Sequence, residues 1–158
     1  MSLGKRLFLI IFCNVLFTLG VAGLGYWGVQ SLGDAAKEIL VEGEALANHL
    51  TSDMMHDAIK GDVLSAMFLS NTSDERIGSW ESIQDDFKGH ADTFAEHLAK
   101  NRELPLSANI SAALNDVAPA LEAYVQIASD IISKAKDNYP AAMEQLPIFM
   151  TAFEDFGR

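Results

Sequence analysis

The sequence predicts an all-α protein, with one N-terminal transmembrane helix continuing into an antiparallel four-helix up-down bundle whose fourth helix is truncated. Three observations carry this expectation. Residues Leu7 to Val29 run 23 positions without a charge. Beyond them apolar residues recur at spacings of three and four, with none of the alternation of a strand. Short turn signals at Asn71-Thr72-Ser73-Asp74, Leu104-Pro105 and Asp137-Asn138-Tyr139-Pro140 divide the periodic stretches.

The opening run sets the topology. As a helix, Leu7–Val29 is about 34 Å long, enough for a hydrocarbon core of about 30 Å. A cleaved signal peptide is the competing reading, but its apolar region is typically shorter, about 7 to 15 residues, and ends at a small-x-small site. This run ends in Gly25-Tyr26-Trp27. An uncleaved anchor is therefore expected. Lys5 and Arg6 hold residues 1–6 on the cytoplasmic side, and Tyr26 and Trp27 suit the outer interface. Asn14, Thr18 and Ala22 form one polar or small stripe, a candidate self-association face.

The remaining chain bounds the function. From Ser31 onward there are 9 bases against 22 acids, a net of −13, so the expected partners exclude nucleic acid. The single Cys, Cys13, excludes a disulfide framework and a Cys-based zinc site. With 158 residues the chain suits one domain, held by packing alone.

The first helix is expected to run on to about Ser70, its core stripe being Leu32, Ala36, Ile39, Gly43, Leu46 and Leu50, then Met55, Ile59, Val63, Ala66 and Leu69. Thr72 with Glu75 fits a capping box for a second helix. That helix carries Trp80, Ile83, Phe87, Phe94 and Leu98 as core and ends near Asn101. The third helix has the cleanest seam, Ile110, Leu114, Val117, Leu121, Tyr124, Ala128, Ile131 and Ala135. Pro119 lies inside it, and one kinked helix is expected. The fourth starts near Pro140, with Met143, Leu146, Phe149, Met150, Phe153 and Phe156. At about 28 Å it is far shorter than the 60 Å or so of residues 31–70, so the chain reads as a fragment whose continuation completes the fourth helix.

A family resemblance rests on particular stretches. The basic N-terminus and uncleaved span, Met54-Met55-His56-Asp57-Ala58-Ile59-Lys60-Gly61-Asp62-Val63, Pro119-Ala120-Leu121-Glu122-Ala123-Tyr124, and Leu146-Pro147-x-Phe149-x-x-x-Phe153-Glu154 together resemble methyl-accepting chemotaxis proteins. The resemblance implies a span at 7–29 and, at 30–158, a periplasmic four-helix-bundle sensor domain, incomplete at its C-terminus. It further implies a homodimer in the bacterial inner membrane, in contact with lipid, that binds a small extracytoplasmic solute. Signalling would pass by helix displacement to cytoplasmic partners through C-terminal modules that this sequence lacks. Sensor histidine kinases and diguanylate cyclases carry similar bundles and remain alternatives. No enzyme is expected: there is no nucleophile with a recognisable base, no phosphate loop and no zinc-protease spacing.

Aspartate- and serine-type members of the family clamp the ligand carboxylate with arginines on the first helix. Met55 to Ala66 contains none. The residues there that could meet a ligand are Met55, His56, Lys60 and Asp62, Lys60 being a point charge rather than a fork. Thr51 and Ser52 read as ordinary surface.

The histidines suggest a second function. His49 and His56 are seven apart, as are His90 and His97, so each pair lies along one side of its helix. A hairpin turning about position 73 sets His49 level with His97 and His56 level with His90. Facing imidazoles can hold haem or share a metal ion. A membrane-anchored bis-histidine haem or metal protein is thus the alternative; the chemoreceptor reading requires no cofactor.

Overall fold

The computed structural model describes residues 3–72, 76 and 78–156. Four helices account for nearly all of them, with no strand among the described residues: α1 (Leu3–Thr72), α2 (Trp80–Glu103), α3 (Ala108–Asp137) and α4 (Tyr139–Phe156). The chain divides into two compact units, Met1–Val41 and Glu42–Arg158.

In the first unit every described residue except Val41 is exposed. The apolar side chains of the uncharged run have no protein cover: Phe17 is 73% exposed and Trp27 70%. This segment makes α1 long and apolar enough to cross a membrane, by length and composition. Its polar side chains bond within the helix. The Asn14 amide donates to the Ile10 carbonyl and the Thr18 hydroxyl to the Asn14 carbonyl, both at 2.8 Å. Such back-bonding satisfies the donors without a second chain.

The second unit holds one hydrophobic core to which all four helices contribute. Ile59, Val63 and Ala66 of α1, Phe94 of α2, Tyr124, Ala128 and Ile131 of α3, and Phe149 of α4 are each at most 2% exposed. Hydrogen bonds fix the register. Asn48 near the start of this unit meets His97 and Asn101 late in α2, while Asp62 meets His90. Tyr124 donates to the His56 carbonyl, and Ser70 to that of Ala135.

Local sequence explains where each helix begins. Ser79 caps α2, its hydroxyl accepting from the Ser82 backbone while the Ser82 hydroxyl accepts from the Ser79 backbone. The cap lies later than expected: Thr72 closes α1 with its hydroxyl on the Phe68 carbonyl, and Glu75 lies outside the described residues. Gly78 precedes the cap at φ 124°, where a Cβ would come within 2.7 Å of Ser82 Oγ, so this position favours glycine. Asn138 alone separates α3 from α4; its backbone N–H caps Lys134 and its Oδ1 accepts from Ala141. Pro119 lies on the exposed side of an unbroken α3, where its missing N–H costs the helix one bond.

Two expected stripes are corrected. Leu32, Ala36, Ile39, Gly43, Leu46 and Leu50 are exposed, and from residue 48 α1 turns Asn48, Ser52 and His56 inward instead. The α3 seam is buried only from Leu121 onward; Leu114 and Val117 are half-buried and Ile110 is 50% exposed. Length is the reason: α4 has 18 residues against 30 in α3, about 27 Å against 45 Å, and it covers only the C-terminal part of the seam. In α4, Met143 is 43% exposed, and the Phe156 side chain lies outside the description.

Phe149 is fully buried and stacks on Tyr124 with ring centroids 5.2 Å apart. Phe149→Ala is expected to cost about 3–5 kcal/mol, the range for a large cavity left in a core. A urea titration of the detergent-solubilised chain, followed by circular dichroism, measures it; an unchanged midpoint contradicts the packing described.

Candidate functional site

The inward polar stripe of α1 opens on a cavity. It has a volume of about 330 Å³ and is lined by His49, Ser52, Asp53 and His56 of α1, Phe94, Leu98 and Asn101 of α2, and Ile110, Ala113, Leu114 and Val117 of α3. Among the described residues, none of α4 lines it. The cavity lies beside the part of the α3 seam that α4 leaves uncovered, and α4 reaches the level of His56 with Phe153. A second hollow of about 600 Å³ lies among Leu69, Ser70, Ser79, Trp80, Glu81, Gln84 and Lys136, but its polar residues are all exposed or half-buried.

One wall of the cavity is a hydrogen-bonded layer. The Asn48 amide donates to Asn101 Oδ1 at 2.9 Å, Asn48 Oδ1 meets His97 Nδ1 at 2.9 Å, and the Asn101 amide donates to the Ala45 carbonyl at 3.2 Å. Asn48 and Asn101 are each 6% exposed, so these bonds offset the desolvation of four polar atoms. Ser52 differs. It is 8% exposed and makes no hydrogen bond among the described residues, while its neighbour Asp53 is exposed and makes no ion pair among them.

His56 joins the cavity to the core. It is 4% exposed, stacked on Phe153 at 4.1 Å between ring centroids, with Tyr124 at 5.0 Å and Phe94 at 6.4 Å. Burial holds its pKa below the usual 6.5, and the carboxylates of Asp57 and Asp53 oppose that shift only in part. The ring is therefore neutral at pH 7. Burial likewise pushes the Tyr124 phenol up, out of reach of physiological titration.

The other expected ligand residues are engaged elsewhere. Lys60 Nζ sits 4.1 Å from the centre of the Phe153 ring, a cation–π contact. Asp62, 8% exposed, takes His90 Nδ1 on its carboxylate at 2.8 Å; burial raises its pKa although the His90 bond works against that rise. Met55 is half-buried against the core. Of Met55, His56, Lys60 and Asp62, only His56 lines the cavity.

The mirrored histidine pairs take different partners. His90 bonds Asp62 and His97 bonds Asn48, while His49 and His56 both line the cavity. His97 lies at the expected level, beside His49, but Asn48 is the buried residue that meets it while His49 is exposed; against the His56 ring α2 brings Phe94 rather than His90. Among the described residues no group of three or more His, Cys, Asp or Glu is placed to hold a metal ion. Ser52, expected on the surface, is buried. Asn48, Ser52 and Asn101 are not singled out by the sequence. The first two share the i, i+4, i+8 spacing with His56, which a more apolar stripe on another face of α1 hides, and Asn101 carries no such signal.

The titration of His56 predicts a pH dependence. Below pH 6.5 the unfolded chain takes up a proton that the folded ring refuses, so stability falls with pH until the lowered folded value is reached. Asp62 acts oppositely and in a more acidic range, because its raised pKa lets the folded carboxyl hold a proton above 3.8. Urea midpoints measured from pH 7 to 5 should fall in the wild type and fall less in His56→Gln; equal slopes would remove His56 as the cause. Comparison of the chain with family models, curated proteins and solved structures gives no match.

Proposed function

We propose that the chain is the sensor region of a bacterial chemoreceptor, anchored in the inner membrane by residues 7–29, with residues 30–158 in the periplasm as an up-and-down bundle. The observation that carries this reading is the uncovered apolar surface of α1. Residues 7–29 are exposed on every side, a surface compatible with lipid and costly in water. In the second unit the exposure narrows to one stripe. Leu46, Leu50 and Met54, then Leu64 and Phe68, are 44–64% exposed, with Gly43 and Gly61 open to close approach. Spacings of three and four make this a seam for a second helix, and a second copy of α1 would complete a homodimer. The α1–α2 and α1–α3 hydrogen bonds support the up-and-down order, since moving along α1 from Asn48 to Asp62 moves back along α2 from Asn101 to His90, while moving from His56 to Ser70 moves forward along α3 from Tyr124 to Ala135.

The cavity supplies a place for a small solute, and His56 a route from it. A molecule in contact with His56 acts on the ring that Phe153 of α4 stacks against. It shifts the helices only by binding one arrangement more tightly than another. Packed helices turn such a bias into a discrete repacking, which in a receptor passes to cytoplasmic signalling partners. None of this requires a reaction or a cofactor.

Two measurements on the membrane-embedded chain test the reading, each in a Cys13→Ser background. Asp92→Cys should react with a membrane-impermeant maleimide added outside spheroplasts. Leu50→Cys should form an intermolecular disulfide on mild oxidation, whereas Glu96→Cys should not. Labelling of residue 92 only after lysis sinks the orientation, and equal cross-linking at 50 and 96 sinks the α1 interface.

A further inference from the structure

We infer that the cavity between α1, α2 and α3 binds a small organic cation, an ammonium group carried on an apolar or aromatic body. This inference rests on the receptor reading only for its biological meaning; the binding chemistry stands on the cavity itself. At about 330 Å³ the space falls at the low end of ligand pockets, about 300–1,000 Å³, and suits a body of one ring or a short branched chain. Phe94, Leu98, Leu114 and Val117 supply apolar walls on α2 and α3.

The opposite wall sets the head group. Ser52 is more than nine-tenths buried, lines the cavity and has no hydrogen-bond partner among the described residues. Lining the cavity without such a partner, the hydroxyl oxygen can accept from a donor placed there. Next to it, and among the described residues, Asp53 contributes the one carboxylate of the lining, and none of those residues is Lys or Arg. The one base close by on α1, Lys60, rests on Phe153 and is not part of the lining. The surrounding chain adds its own field, with 22 acids against 9 bases after residue 30. A cation is drawn into such a site and an anion repelled. The asparagines do not compete for the head group, because their amide oxygens are engaged: Asn101 Oδ1 accepts from the Asn48 amide and Asn48 Oδ1 meets His97 Nδ1. In the bound state the ammonium donates to Ser52 Oγ and to the Asp53 carboxylate, and the body lies across Phe94.

Calorimetry on the full chain in lipid nanodiscs, with 2-phenylethylammonium as probe, tests the proposal. The matched controls are 2-phenylethanol, which keeps the body and loses the charge, and phenylacetate, which reverses it. Saturable binding of the cation is expected, with the alcohol at least about tenfold weaker and no binding of the anion. Ser52→Ala and Asp53→Asn should each weaken the cation roughly tenfold. Ser52→Ala should leave the melting temperature unchanged or raised, which a merely structural hydroxyl would not do. Ala113→Phe, which fills the cavity, should abolish binding with helicity retained. Absence of cation binding, equal binding of the three probes, or wild-type affinity in both Ser52→Ala and Asp53→Asn overturns the proposal. Those failures remain distinct from failure of the receptor reading, which the maleimide and disulfide measurements decide without any ligand.

Discussion

The His56 ring is the contact on which the second unit depends, because all four helices meet there. Its imidazole stacks on Phe153 of α4 and lies against Tyr124 of α3 and Phe94 of α2, while its backbone carbonyl accepts the Tyr124 hydroxyl. A buried imidazole tolerates such an apolar cage only while neutral, and burial keeps it so. Geometry and protonation are thus one constraint. The ring that closes the core also forms part of the cavity wall, so the cavity and α4 share one residue.

Helix α1 answers two opposed demands. From Ile59 to Leu69 it presents apolar residues to the core in the ordinary way. Toward the start of the second unit it presents Asn48, Ser52 and His56 inward while Leu46, Leu50 and Met54 face out. Burying polar groups beside exposed leucines is unfavourable for an isolated chain. It becomes reasonable if each face has its own partner. The Asn48–Asn101–His97 bonds satisfy part of the interior, and in the proposed receptor a second α1 covers the leucines and a solute meets Ser52.

Much of the fold was legible in the residues. The helical periodicity, the turn at Asp137-Asn138 and the continuity of α3 through Pro119 all emerged as expected, because they depend on contacts within a few residues. Thr72-x-x-Glu75 is the more conspicuous match to a capping box, yet Ser79 caps α2, with a serine rather than Glu or Gln at N3. The mirrored histidine pairs do not form because other residues face one another: Asn48 rather than His49 meets His97, Phe94 meets His56, and Asp62 meets His90.

By itself the sequence determined an all-helical chain, an uncharged run long enough to cross a membrane, and the spacing of its apolar residues, since these follow from composition and the 3.6-residue turn. Which of two stripes on α1 faces inward was decided only in three dimensions. Two faces of one helix can each be apolar enough to pack, and the choice rests on what α2, α3 and α4 bring opposite them. The shortness of α4 leaves Leu114 and Val117 uncovered, Asn101 offers a partner to Asn48, and Phe153 offers one to His56. Those are distant residues, and only the packed fold sets them side by side.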